Sequence, residues 1–280
     1  MEHLLELFSD KYAAQLRNKE LKKLEEIRLH TEQPVMLRFS DHEEELRSNL
    51  SQSDIDFIMN AACRQSIYAH TETLCKGYVT IEGGHRIGIC GFGVMKDGQV
   101  QTIRNVSSIC IRVANQIIGC ANQLLPLING STLILGPPGA GKTTLLRDLV
   151  RQLSDKRKQR IALADERCEL SAGAMGRPQL QIGRYTDVML NIPKGSAAML
   201  LLRTMNPQWI AMDEITSKED LSAMEHIAYC GVHILATAHG TGMKDLSCRP
   251  LYRDMMQRGI FQTIVILDQE KHYIVQEVSS

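Results

Sequence analysis

Residues Ser131–Leu146 read STLILGPPGAGKTTLL: an apolar run, a glycine-spaced loop, and the first leucines of a helix. The inner segment runs Gly136, Pro137, Pro138, Gly139, Ala140, Gly141, Lys142, Thr143, with Thr144 following, and fits the pattern G-x-x-x-x-G-K-[ST]. Glycines in such a loop let backbone N–H groups turn inward around phosphate oxygens, and the helix amino terminus adds partial positive charge. Lys142 can reach the outer phosphates as a mobile point charge, while the Thr143 hydroxyl can ligate Mg2+. A chance glycine-rich turn between strand and helix is the bland alternative, and the apolar strand before the loop and the helix starting inside it count against it.

A phosphate cradle only binds. Hydrolysis requires one carboxylate at the metal and another at the attacking water, and QWIAMDEI ends an apolar strand with Asp213 and Glu214. Asp213 is the expected metal-holding group and Glu214 the group that orients or deprotonates the nucleophile. The competing reading is an acidic pair that caps the following helix. Another apolar strand ends in ADERCE, which would bring Asp165, Glu166 and Glu169 to the same carboxyl edge of a parallel sheet, where ligands bind in open folds. These acids could assist water activation or the metal shell, or form a plain solvated loop. A further strand ends in ATAHG, where His239 could donate to a terminal phosphate or be simply structural.

The whole chain has 280 residues, which favours two domains of ordinary size. Lysine plus arginine number 32 and aspartate plus glutamate 32, so no overall field draws the molecule to nucleic acid or anionic lipid. Eight cysteines lack the close pairing of a zinc knuckle or redox dithiol and read as reduced, mostly buried thiols. MEHLLELFSD has no export-signal pattern, and no apolar run is long enough to span a bilayer, so a soluble cytosolic protein is expected.

The pattern changes near residue 119. Before it, LLELFSDKYAAQL has helical spacing, LEEIRL and PVMLRF read as strands, and SQSDIDFIMNAAC as a capped helix. YVTIEGG, HRIGICGFGVM, QVQTIRN and SSICIRVA then suggest an antiparallel meander that turns at Lys96-Asp97-Gly98. After ANQLLPLING, strand and helix alternate through TLILG, KTTLLRDLVRQL, IALADE, AAMLLLRTM, WIAMDE, KEDLSAMEHIAY and VHILATAH, which implies a buried parallel sheet with crossover helices. FQTIVILD and HYIVQEV should add an antiparallel hairpin at its edge. Domains over 1–119 and 120–280 follow.

The order of phosphate loop, DERCE, LLLRTMNPQWIAMDEI and GVHILATAHG resembles the secretion ATPase superfamily, the ring motors of type II and type IV secretion and pilus retraction. That resemblance implies an α/β fold, with a RecA-like P-loop ATPase domain on a mainly parallel sheet preceded by a smaller α+β domain. It also implies ATP and Mg2+ as ligands, a homo-hexamer, Leu202-Arg203 and Pro207 in the family's leucine-arginine and proline places, Glu214 as the catalytic glutamate and His239 in the histidine box. HRIGICG and SSICIRVA are similar to the family's arginine strands, so Arg86 and Arg112 are implied to reach the phosphates, with Arg104 as a third candidate. EEIRL, GYVTIEGGHR, TIRNVSS, PPGAGKTTLLRD and ATAHG resemble the stage III sporulation AA branch of that superfamily. The branch implies a mother-cell ATPase, cytoplasmic and peripheral at the membrane through inner-membrane proteins of a channel to the forespore. Asp213 departs from the glycine of many members, and the four-cysteine insertion of larger motors is missing, which argues against zinc.

Two other readings stay open at this stage. The same core drives nucleic-acid translocation, but neutral charge, one tryptophan and few aromatics disfavour that, and DKRKQR is a single local basic run. A scaffold or switch that binds ATP without turnover is the other.

Overall fold

A computed structural model describes residues 2–63, 77–173 and 176–278. The chain divides into two compact units, Met1–Asn115 and Gln116–Ser280.

The first unit opens with two short helices, α1 (Glu2–Leu5) and α2 (Asp10–Arg17), rather than one continuous helix, because the chain leaves helical geometry at Ser9. Strands β1 (Leu24–His30) and β2 (Pro34–Phe39) follow, then β3 (Glu43–Asn49). β3 went unpredicted for a physical reason: of EEELRSN only Leu46 is buried, so the apolar alternation that marks a strand is missing. Helix α3 (Gln52–Cys63) begins with a reciprocal cap, in which Asp54 N donates to Ser51 Oγ and Ser51 N to Asp54 Oδ2.

Strands β4 (Tyr78–Thr80), β5 (Arg86–Lys96) and β6 (Gln99–Arg112) complete a six-stranded sheet in the order β3-β2-β1-β6-β5-β4. QVQTIRN and SSICIRVA, read as separate strands, are one long strand with a bulge. Asn105 takes φ +46°, and Gly91 faces the displaced backbone so closely that a Cβ there would lie 2.6 Å from Arg104 O. The turn between β5 and β6 has Asp97 at φ +52° and Gly98 at φ +77°, the left-handed pair that a tight hairpin requires.

In the second unit the strands are β7 (Thr132–Gly136), β8 (Ile161–Asp165), β9 (Thr186–Leu190), β10 (Trp209–Met212), β11 (His233–His239), β12 (Thr263–Leu267) and β13 (Tyr273–Glu277). They form one sheet in the order β13-β12-β7-β11-β10-β8-β9, parallel throughout except for the edge pair β12 with β13. β9 was not anticipated, since TDVML lies at the sheet edge and none of its residues is fully buried. Crossovers run through α4 (Lys142–Arg157), α5 (Lys194–Thr204) and α6 (Lys218–Tyr229), with α7 (Met243–Cys248) and α8 (Pro250–Gln257) after β11. Every residue of β7 is buried because its alternate side chains serve two cores: Leu133 and Leu135 join the α5–α6 side, Ile134 the α4 side.

The basic run at the end of α4 is bound into the fold. Arg157 donates to the carbonyls of Leu125 and Ile128, Lys156 to Asn122 and Gln152, and Arg160 to Asn206 O. The cysteines depart from expectation: Cys90, Cys230 and Cys248 are exposed, and Cys63, Cys110, Cys120 and Cys168 only half-buried. Cys75 lies outside the described residues.

His85, in the turn before β5, is buried; its Nδ1 accepts from Ala114 N–H at 3.1 Å and its Nε2 has no partner among the described residues. Burial first, and the nearby charge of His3 among the lesser causes, push its pKa down to about 4. The unfolded chain therefore binds more protons between pH 6.5 and 4, so the stabilisation is complete above about pH 6.5 and is lost as the pH falls toward 4. The free energy of urea unfolding should fall over that window by up to about 3 kcal/mol, and His85→Asn, which keeps an acceptor for Ala114, should flatten the pH dependence. An unchanged slope in the variant would remove His85 as its source.

Candidate functional site

Because β7, β8, β10 and β11 are parallel neighbours, their carboxyl ends share one rim, and the residues that follow each strand meet there. Across the rim the order is β7 with the phosphate loop, β11 with His239, β10 with Asp213 and Glu214, and β8 with Asp165 and Glu166.

The loop from Gly136 to Thr143 is shaped to hold an anion. Gly139 and Gly141 take φ +77° and +91°, and a Cβ on either would enter open space, so the glycines serve backbone conformation rather than packing. Gly141 is the N-cap of α4, whose first amides have no intrahelical acceptor. Lys142 is 7% exposed, and its ammonium donates to Gly136 O and Pro137 O, both at 3.0 Å, and to His239 Nδ1 at 3.1 Å. Burial holds this lysine below its ordinary pKa, and Glu214 and Asp213 partly restore it.

An ammonium can only donate, so His239 Nδ1 accepts and the ring proton resides on Nε2. That nitrogen lies 2.5 Å from Glu214 Oε1. Lys142, His239 and Glu214 thus form one hydrogen-bonded chain. Asp213 stands beside it: Thr143 Oγ1 donates to Asp213 Oδ2 at 2.9 Å, while Thr237 Oγ1 and the Glu214 amide, the latter at 3.0 Å, hold Oδ1. The Thr143 hydroxyl and an Asp213 oxygen therefore fit a Mg2+ ion that takes its other ligands from phosphate and water. Among the described residues no three His, Cys, Asp or Glu form a metal site by themselves.

The acidic pair is not a helix cap. Ser217 and Asp220 cap α6 reciprocally, leaving Asp213 and Glu214 at the strand end. Glu214 takes φ +35°, a left-handed conformation that costs a non-glycine residue roughly 1–2 kcal/mol. Three bonds hold it there: its N–H donates to Thr237 Oγ1 at 2.6 Å and to Asp213 Oδ1, and its carbonyl accepts from Lys194 Nζ at 2.8 Å. Lys194 is buried and also lies 3.7 Å from Glu166 and 3.9 Å from Asp220. Neither Lys194 nor Thr237 was picked out from sequence; Thr237 is a lone hydroxyl in the apolar run HILATAH, while Lys194 follows a proline with no distinguishing pattern.

Glu166 reaches the site, facing Lys194 and lining, with Asp213 and Glu214, a cavity of 20 Å³, room for about one water. Asp165 does something else. Its carboxylate accepts from the amides of Glu169, Leu170 and Ser171 and from Ser171 Oγ, so it fastens the loop after β8. The Glu169 carbonyl accepts from Arg147.

Arg203 is exposed on the last turn of α5, at the rim where β10 begins, opposite the phosphate loop. Pro207 is buried just before that strand. In the first unit, Arg86 and Arg112 face each other directly across β5 and β6, with Glu26 on the far side of Arg112 and Arg86 stacked 3.8 Å over the Tyr78 ring. Arg104 stands apart from them, beyond the bulge and opposite Phe92.

Residues 2–277 match the family profile described as "Sporulation stage III, protein AA". The chain belongs to that family. It is 36% identical over 256 residues to the stage III sporulation protein AA of Bacillus subtilis, covering 89% of this chain and 83% of that protein. This family member also has the fold of solved secretion ATPases. The ATPase DotB of Legionella pneumophila aligns over 96% of this chain and 80% of its own with a TM-score of 0.62 and 15% identity. The pilus retraction motor PilT with bound ADP aligns over 95% and 82% with a TM-score of 0.66 and 14% identity. The RecA-like P-loop fold of the second unit, on its mainly parallel sheet, follows from both. No described helix is long and apolar enough to cross a membrane.

Asp165→Ala strips acceptors from three backbone amides and should cost about 3 kcal/mol or more in urea unfolding. Asp165→Asn should cost less, since one carboxamide oxygen remains; equal losses in the two variants would contradict the fastening role.

Proposed function

We propose that this chain hydrolyses ATP with Mg2+ and serves as a secretion-type ring motor. The single observation that carries the reading is the hydrogen-bonded chain Lys142–His239–Glu214 beside the Thr143–Asp213 pair, on one strand-end rim. Backbone amides of Gly139, Gly141, Lys142, Thr143 and Thr144 would hold the phosphates, and Lys142 would leave its carbonyl partners for the terminal phosphate. Thr143 and Asp213 would hold Mg2+, which would neutralise phosphate charge there. Glu214 would orient and deprotonate the attacking water, Glu166 would help hold that water, and His239 would sense the phosphate through Lys142, whose move to the phosphate would leave Nδ1 without its donor.

Arg86 and Arg112 support the phosphate-contacting part. Like charges directly opposite on neighbouring strands repel. An anion shared between two guanidinium groups converts that repulsion into binding. Their engagement in the ATP state and release after hydrolysis would convert phosphate charge into movement of the amino-terminal domain, 1–119, against the ATPase domain, 120–280. Arg104 would act from the ribbon only in a second contact, and Arg203 only through a neighbouring copy, as a homo-hexamer provides.

The family and its B. subtilis relative support a place in sporulation: a cytoplasmic mother-cell ATPase, peripheral at the membrane, that assembles or energises the channel to the forespore through inner-membrane partners. Nucleic acid is not part of this reading, since the one basic run bonds to the fold's own carbonyls and side-chain amides.

Lys142→Ala should abolish both Mg-ATP binding and turnover, whereas Glu214→Gln should abolish turnover and keep binding, read by phosphate release and calorimetry. Turnover retained by Glu214→Gln would dismiss its role. Arg86→Ala with Arg112→Ala should lower kcat by at least about tenfold with the fold intact, and light scattering with a non-hydrolysable analogue and Mg2+ should give a hexamer's mass.

A further inference from the structure

The chain segment that carries Glu214 continues past β10 alongside β11. Ile215 N–H donates to Thr237 O at 2.8 Å, the bond expected where a parallel ladder goes on. The next rung of that ladder would join the His239 amide to Ile215 O. A side chain takes the carbonyl instead: the Tyr252 hydroxyl, from α8, donates to Ile215 O at 3.1 Å. The substitution falls one residue after the left-handed Glu214 and level with His239.

Tyr252 is 6% exposed and packs in one apolar cluster with Ile215, Met255, Ile260 and Phe261, so the fold fixes where its hydroxyl ends. Burial pushes the phenol pKa up, while the His239 backbone and the Arg249 guanidinium hold it down, which places the hydroxyl between the two strand ends. Arg249, at the junction of α7 and α8, braces the other end. It donates to His239 O at 3.3 Å, pairs with Asp245, and lies 5.8 Å from the centre of the Tyr252 ring. Asp245 in turn accepts from Thr241 N–H at 3.2 Å.

This geometry bears on chemistry more than on binding. The phosphate loop hangs on β7 and α4, whereas the contact of Glu214 Oε1 with His239 Nε2, at 2.5 Å, depends on how far the ends of β10 and β11 stand apart. Without the hydroxyl, the His239 amide is free to close on Ile215 O, and a regular rung would draw the two ends together and turn the Glu214 carboxylate off its place.

We infer that Tyr252 is a positioning residue for the hydrolytic step, its hydroxyl setting the spacing between the strand ends that carry Glu214 and His239. This deepens the proposed function and rests on Glu214 as the group that activates water.

The test compares wild type, Tyr252→Phe and Met255→Val as full chains with Mg2+, using phosphate release for kcat and KM and calorimetry with a non-hydrolysable ATP analogue. Tyr252→Phe keeps the ring and loses only the hydroxyl. Its kcat should fall about tenfold, because small misplacements of a reacting group cost rates of that order, while KM and analogue affinity stay within about twofold of wild type. Met255→Val loosens the same core one turn further along α8, and it should lower the thermal midpoint and leave kcat unchanged, which separates lost packing from lost position. Wild-type kcat in Tyr252→Phe, a parallel loss of kcat and analogue affinity, or an equal loss of kcat in Met255→Val would each overturn the inference and leave the ATPase reading standing. A wild type that fails to bind the analogue, or never turns ATP over, would overturn the proposed function itself, and this inference with it.

Discussion

Asp213 is the side chain on which the site turns. One oxygen receives the Thr143 hydroxyl from the phosphate loop, and the other receives Thr237 from β11 and the Glu214 amide from its own chain. Three segments that are far apart in sequence are thereby set in register at one carboxylate. A charged acceptor with three donors is among the stronger hydrogen-bonding arrangements a protein makes, and it needs the parallel sheet, which alone brings those strand ends to one rim.

Lys194 performs the complementary task for Glu214. The glutamate's left-handed backbone aims its side chain at His239, and the buried ammonium of Lys194 anchors the strained carbonyl while lying near Glu166 and Asp220. Strain of this kind persists where surrounding bonds over-determine it. The strand-end rim is thus supported from behind by α5, the helix whose far end carries Arg203.

The first unit solves a different problem. Its β5–β6 register brings Arg86 and Arg112 together, with Tyr78 beneath one and Glu26 beside the other. The sheet spends some stability on that juxtaposition, and the same strands continue past the bulge as a ribbon with Phe92 and Met95 exposed.

The phosphate loop, the parallel alternation, the edge hairpin and the identity of Asp213, Glu214 and His239 were legible in sequence because each depends on local pattern: apolar runs, glycine spacing, an acid or histidine at a strand end. β3 and β9 were not, since edge strands bury too little to keep an apolar period. The burial of cysteines was misread because a thiol's environment depends on which neighbours arrive. Lys194, Thr237 and the fastening role of Asp165 were invisible for the same reason: their partners come from other strands, and hydrogen bonding across long loops leaves no periodic trace. Sequence by itself determined the fold class and the kinds of chemical group at the rim. Tertiary structure decided which carboxylate serves the loop and which faces the cavity, because only the order of strands in the sheet sets the distances between them.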